Sequence, residues 1–187
     1  MDSPPDAGFD VVPTVTFDGA PQADVLLVPG GSGIDELIGD VGAVDFVRAQ
    51  AGGARYVTSV CTGAFLLGAA GLLHGRRATT HWASRSMLAM FGAIPTAGRV
   101  VQDDNLFTGA GVTSGIDFAL VLASELCGVD VARRIQLMIE YDPHPPFDAG
   151  SPNAPETDHE YADKVMARNR ELREELFRDA AARAGTA

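Results

Sequence analysis

The chain has 187 residues, 46% of them hydrophobic and 21% charged, which is length and apolar content enough for one domain with its own core. Its 25 acidic against 14 basic residues give a net charge of −11, which argues against nucleic acid and anionic membrane as partners, and no apolar run is long enough to span a bilayer. Two cysteines, Cys61 and Cys127, cannot build the disulfide framework of a small secreted fold, and residues 1–8 lack the basic and apolar regions of a signal peptide, so a cytoplasmic protein with reduced thiols is expected.

In chain order, the β-branched stretch Phe9–Phe17 predicts short strands or a hairpin. Asp24–Val28, running into Pro29-Gly30-Gly31, predicts a buried strand that ends in a tight loop. Two short helical pieces are expected over Asp35–Ile38 and Gly42–Ala51, then a strand over Arg55–Val60 and a helix over Cys61–Ala70. Ala78–His81 predicts a short strand and Ala83–Phe91 a helix. Arg99–Gln102 and Leu106–Thr108 read as two strands around a turn at Asp103-Asp104-Asn105. Gly111–Leu126 is an apolar helix, and Val129–Tyr141 is another after the breaker Gly128. Prolines 143, 145, 146, 152 and 155 end regular structure over Asp142–Glu156, and Thr157–Ala184 is a charged helix rich in Arg, Glu and Ala. That helix carries an apolar stripe of Val165, Leu172 and Leu176, with Met166 and Phe177 alongside, which must be buried on its own subunit or on a partner. Strands alternating with helices imply a mostly parallel sheet covered on both faces, with ligands at the carboxyl ends of the strands. Gly30-Gly31, Cys61 and Gly109–Gly111 all fall at such ends.

The junction at residues 59–63 carries the most chemistry. Ser59-Val60-Cys61-Thr62-Gly63 follows a β-rich stretch and opens a helix, the strand–turn–helix pattern of a nucleophile elbow. Small residues on either side let neighbouring backbone approach, and a thiol at a helix N-terminus is favoured as thiolate. A buried, inert cysteine is the competing reading of Cys61. Gly30-Gly31-Ser32-Gly33 lacks the Lys-Ser/Thr ending of a P-loop and is better suited to supplying backbone N–H groups to an oxyanion hole. Gly109-Ala110-Gly111-Val112-Thr113-Ser114 is a near miss for a dinucleotide fingerprint, since Ser114 stands at its last position and Asp130 lies between two helices. Close strand–helix packing is the expected role of these glycines, and no cofactor is expected. Histidines 74, 81, 144 and 159 have no partners at zinc-site spacing, so no metal is expected. His81, just past a strand in Thr79-Thr80-His81-Trp82, is within range of Cys61 as a general base or, with Gly111, stands behind the residues that touch substrate, and the latter is the reading taken. Cys127, at a helix end beside Gly128, is read as structural.

Several stretches, in order, resemble the ThiJ/PfpI superfamily. They are Ser59–Ala64, Ala69-Ala70-Gly71-Leu72-Leu73, Arg77–Trp82, Thr108–Leu120 and Glu140-Tyr141-Asp142-Pro143. Pro145–Pro152 (Pro-Pro-Phe-Asp-Ala-Gly-Ser-Pro) is most similar to the isocyanide (isonitrile) hydratase branch. The resemblance covers about residues 9–155 and implies an α/β fold, a three-layer flavodoxin-like sandwich with a mostly parallel sheet. Residues 1–155 would form that domain, incomplete at its N-terminal side, and 156–187 a charged helix packing on it or on a dimer partner. The resemblance implies that Cys61 attacks the terminal carbon of small apolar isocyanides, giving a thioimidate that is hydrolysed to an N-substituted formamide. It implies that Gly30, Gly31 and the Thr62 N–H line the polar part of the pocket, and that the protein works as a homodimer with the site near the interface.

Members of the superfamily also carry an earlier strand and helix with an acidic residue that hydrogen-bonds the cysteine. No residue here matches that acid, and a general acid or base is typically worth ~10²–10⁴-fold in rate. Of a misassigned start, a fragment and a domain completed by a partner, the first is the favoured reading. The alternative function is a non-catalytic ligand-sensing domain like those fused to helix-turn-helix regulators. A peptidase or glyoxalase-like activity is disfavoured because Thr62, not histidine, follows Cys61.

Overall fold

Three parallel strands and one antiparallel strand form the central sheet of the computed structural model, which describes residues 12–185. The elements in chain order are β1 (Val25–Val28), α1 (Ile34–Gly39), α2 (Val41–Gly53), β2 (Tyr56–Val60), α3 (Gly63–Ala69), β3 (Arg77–Ala78), a 3₁₀ helix (Trp82–Phe91), β4 (Ile94–Pro95), β5 (Val100–Asp103), β6 (Leu106–Gly109), α4 (Ser114–Cys127), α5 (Val129–Met138) and α6 (His159–Ala184). The sheet order is β1-β2-β6-β5, with β5 antiparallel to β6, while β3 and β4 pair separately as a parallel two-stranded sheet. This is an α/β fold on a mixed, mostly parallel sheet.

The two-residue period of the strands divides the core between two faces. Leu26, Val28, Val57 and Leu106 point to one face, where they meet α1, α2, α3, the 3₁₀ helix and α6. Tyr56 and Phe107 point to the other, where Phe118 of α4 closes over them with Val121 and Leu122 alongside. α6 is tied to the first face by Phe177, whose ring lies 4.4 Å from Phe65 and 5.5 Å from Phe91. Burying such aromatic side chains stabilises by roughly 1.5–3 kcal/mol each, so the long charged helix is held by a few apolar anchors.

Several expectations are corrected. Residues 12–17 form bends and a turn instead of a strand or hairpin, and the start of Phe9–Phe17 lies outside the described residues. β1 is not buried throughout, because α4 packs over β6, β5 and β2, leaving Leu27 on the sheet edge 51% exposed. Ala78–His81 does not continue as a strand, since the Thr79 N–H turns to Thr108 Oγ1 at 2.9 Å. The helix after it is a 3₁₀ helix, and Gly111–Thr113 precede α4 as a turn in which Ser114 N–H and Oγ both donate to the Gly111 carbonyl. The inward stripe of α6 is Ala162, Val165, Arg173, Leu176, Phe177 and Ala180, whereas Leu172 is 69% exposed. Cys127 is exposed and does not serve as packing.

Candidate functional site

Loops after the carboxyl ends of β1, β2 and β6 converge, and Cys61 sits on the middle one. The strand ends at Val60 and the helix begins at Gly63, so Cys61 occupies the turn between them with φ at 56°. A left-handed backbone costs a residue with a Cβ about 1–2 kcal/mol and persists only where its surroundings enforce it. Here the Cys61 N–H donates to the Gly109 carbonyl at 3.0 Å, and Thr80 Oγ1 donates to the Cys61 carbonyl at 2.6 Å. Gly30 and Gly63 let the chain close around it. A Cβ on Gly30 would stand 2.7 Å from Cys61 Cβ, and one on Gly63 would drive into the Val28 and Pro29 carbonyls. The elbow predicted from residues 59–63 is therefore present as geometry. Ser59 Oγ, buried beneath it, has no hydrogen-bond partner among the described residues.

Thr62 couples the elbow to the glycine loop. Its Oγ1 accepts from the Gly31 N–H at 3.0 Å and donates to the Gly31 carbonyl at 3.2 Å. The Gly31 N–H, expected as an oxyanion donor, is thus already committed, and Gly31 takes a φ of 146° to present it. The Thr62 N–H, just ahead of α3, makes no hydrogen bond among the described residues and is the unoccupied donor beside the sulfur. Replacing the hydroxyl should loosen the loop. Thr62→Val is expected to lose about 1–2 kcal/mol of stability, read as a lower denaturation midpoint, together with part of any Cys61-dependent activity.

A cavity of about 470 Å³ opens at the elbow, lined by Pro29, Ser32, Val60, Cys61, Val112 and Arg173 together with the glycine loop. His81 faces a neighbouring cavity of about 460 Å³, with Trp82, Arg85, Arg99 and Gly111, and only Val112 lines both. The structure accordingly brings Cys61, Gly30, Gly31 and Thr62 together, and places His81 and Gly111 in the neighbouring cavity. Phe65, two residues into α3, is fully buried in the core and Ile116 is exposed on α4, so neither lines the Cys61 cavity. Trp82 belongs to the His81 cavity. Among the described residues no group of His, Cys, Asp and Glu is arranged to hold a metal ion, and no helix is long and apolar enough to cross a membrane.

His81 Nδ1 accepts the Ala83 N–H at 3.3 Å, leaving Nε2 to carry the proton of the neutral ring. Burial, with the positive charge of Arg173 adding to it, pushes its pKa below 6.5. The unfolded chain then binds the extra proton first, so the contribution to stability is complete above pH 6.5 and is lost as pH falls through the folded value. His81→Gln should flatten the fall in melting temperature over that window relative to the parent; equal slopes would contradict the assignment.

Arg173 is the site residue that sequence reasoning missed. It lies on α6, whose sequence shows only abundant charge and an apolar stripe, and its place in the cavity lining beside Cys61 is a tertiary event with no local motif. Its Nε donates to both oxygens of Asp35 at 2.9 Å, pinning α6 to the start of α1.

Three comparisons bear on this geometry. The model of the DJ-1/PfpI family matches residues 5–125. The chain is 55% identical over 177 residues to an isonitrile hydratase of Pseudomonas putida, covering 94% of this chain and 78% of that protein. It is 33% identical over 139 residues to the HTH-type transcriptional regulator GbdR of Pseudomonas aeruginosa, covering 72% of this chain and 37% of the regulator. Among solved structures, a ThiJ/PfpI family protein from Pseudomonas syringae superposes with a TM-score of 0.81 at 46% identity, over 96% of this chain and 73% of that one.

Proposed function

The chain belongs to the DJ-1/PfpI family and is a homologue of isonitrile hydratase, and from that premise we propose that it is a hydro-lyase converting organic isonitriles to N-substituted formamides through a thioimidate on Cys61. The observation that carries this reading is the left-handed Cys61 at the mouth of a largely apolar cavity, on the scaffold shared with that hydratase.

The chemistry follows from the isonitrile group, R–N≡C, whose terminal carbon accepts both a nucleophile and a proton. Cys61 Sγ forms a bond to that carbon, and a proton is added to the same carbon, giving R–N=CH–S–Cys61. Water then adds to the imidoyl carbon, the C–S bond breaks, the thiolate leaves and R–NH–CHO is released. The sum is one isonitrile and one water in, one formamide out, with the thiol regenerated. In this reading the free Thr62 N–H donates a hydrogen bond to developing negative charge, as backbone donors do at other covalent sites. Gly30 lets the loop close on Cys61 Cβ, Gly31 holds Thr62 in place, and His81 and Gly111 line the neighbouring cavity.

The same reading takes the fold as a three-layer flavodoxin-like sandwich, supported by helices packed on both faces of the sheet. It takes the working form as a cytoplasmic homodimer. The apolar residues Leu137, Met138 and Ile139 at and just past the end of α5, all more than half exposed, favour association. Incubating the purified chain with an alkyl isonitrile should produce the matching formamide, seen by its formyl proton resonance. Binding of the isonitrile without formamide would favour a sensing domain instead.

A further inference from the structure

The peptide between Cys61 and Thr62 is held at its oxygen by a buried hydroxyl. Thr80 is fully buried and does not line the cavity at the elbow, and its Oγ1 donates to the Cys61 carbonyl at 2.6 Å. The Ala64 N–H also reaches that oxygen but at 3.5 Å, so the hydroxyl is its main constraint. Thr80 is itself anchored. The Thr79 N–H donates to Thr108 Oγ1 at 2.9 Å, and that hydroxyl donates in turn to the Val101 carbonyl at 3.3 Å, tying the Thr79-Thr80 segment to β6 and β5. β6 also supplies the Gly109 carbonyl that accepts the Cys61 N–H. Both backbone polar groups of the left-handed cysteine are thus clamped from one strand, one directly and one through Thr80.

A trans peptide is planar, with its N–H antiparallel to its C=O. No peptide bond among the described residues is cis. Holding the Cys61 oxygen against Thr80 therefore turns the Thr62 N–H away from Thr80, and Thr62 belongs to the cavity lining. A Cβ on Gly30 would stand 2.9 Å from that nitrogen, so the glycine leaves room beside it. A hydrogen bond accepted by the carbonyl also polarises the peptide and strengthens its N–H as a donor. The bonds between Thr62 Oγ1 and Gly31 secure the glycine loop and leave the peptide plane to Thr80.

Resting on the proposed hydration reaction, we infer that Thr80 is a positioning residue that acts through the Cys61–Thr62 peptide, aiming the Thr62 N–H at the charge that develops beside Sγ. Its hydroxyl works from inside the core and without contact to the isonitrile. Substrate binding is therefore left alone while the step that develops charge is slowed by its loss.

Two readouts on the full chain test this, one of them independent of turnover. Thr80→Val, which keeps the shape and removes the donor, is expected to lower kcat for an alkyl isonitrile about tenfold with KM within about twofold of the parent, since misaiming a backbone donor forfeits part of the roughly 10²–10³ it supplies. Thr80→Ser keeps the hydroxyl and should bring kcat back to within about threefold of the parent. In the second readout, the residual dipolar coupling of the Thr62 N–H in weakly aligned, substrate-free protein reports the direction of that bond. It should change in Thr80→Val and return in Thr80→Ser, while couplings within Tyr56–Val60 and Ser114–Cys127 stay as in the parent. A purely structural role for Thr80 would lower the melting temperature and move neither kcat of the folded protein nor this one coupling.

An unchanged Thr62 coupling in folded Thr80→Val would overturn the inference, as would a changed coupling with kcat at the parent value. A fall in kcat that Thr80→Ser does not relieve would overturn it too. Should Thr80→Val not fold, Thr80→Cys, whose thiol is a weak donor, decides it through the same readouts. If the parent hydrates no isonitrile, the proposed reaction fails and takes the catalytic role of Thr80 with it, while the coupling still decides whether Thr80 sets the direction of the Thr62 N–H.

Discussion

Cys61→Ala is expected to remove isonitrile hydration, a loss of at least about a thousandfold in kcat/KM, while leaving stability within about 1 kcal/mol of the parent. The loss is large because the reaction is routed through a bond to Sγ, and among the described residues no other nucleophile with comparable reactivity lines the cavity. Ser32 and Thr62 are hydroxyls, weak nucleophiles at neutral pH without an adjacent base, and Thr62 Oγ1 is engaged at both of its bonds to Gly31. Stability is spared because alanine keeps the Cβ, and with it the same left-handed strain at φ 56°, while the bonds from Cys61 to Gly109 and Thr80 are made by the backbone. Retained turnover in a folded Cys61→Ala protein would dismiss the covalent route.

Gly63→Ala is expected to have the largest effect on the fold, about 2–4 kcal/mol of destabilisation, with loss of activity in the molecules that remain folded. The new methyl would fall inside van der Waals contact of the Val28 carbonyl oxygen and 2.7 Å from the Pro29 carbonyl oxygen. Both are backbone atoms at the end of β1, and neither can rotate away as a side chain would. Relief requires β1 and α3 to separate, which opens the cluster of Leu26, Val28, Phe65 and Leu66 and withdraws Gly30 from the sulfur. For a domain of this size each kcal/mol lowers the melting temperature by roughly 2–4 °C, so thermal denaturation reads the effect directly. A melting temperature unchanged by Gly63→Ala would mean that the strand and helix are not held this closely in solution.

The elbow was legible in the sequence because its constraints are local. Ser59, Cys61 and Gly63 are spaced by two, and a strand-to-helix turn that tight admits small residues at those places for steric reasons alone. The position of Gly30 at a strand end was legible for a related reason, since a Gly-Gly pair after an apolar run marks such an end in this fold class, but its close approach to Cys61 Cβ was not. What escaped depends on how helices sit on the sheet. α6 reads as a charged helix with an apolar stripe, but its phase is set by Phe177 meeting Phe65 and Phe91. That contact turns Leu172 outward and Arg173 inward, one residue apart on the helix. The donor at Gly31 was misread for a comparable reason: a backbone N–H is free or taken according to the Thr62 side chain that reaches it, and no spacing rule records that. His81 lies near Cys61 in the chain order of motifs, yet the two line different cavities that share Val112.

The most direct test of the account is the intact mass of the protein quenched with acid during turnover of an alkyl isonitrile, with peptide mapping of the product. The account predicts a species heavier than the free chain by the mass of one isonitrile, located on the Cys61 peptide and absent from Cys61→Ala. Formamide release with no such species at any quench time, together with activity in Cys61→Ala, would contradict it.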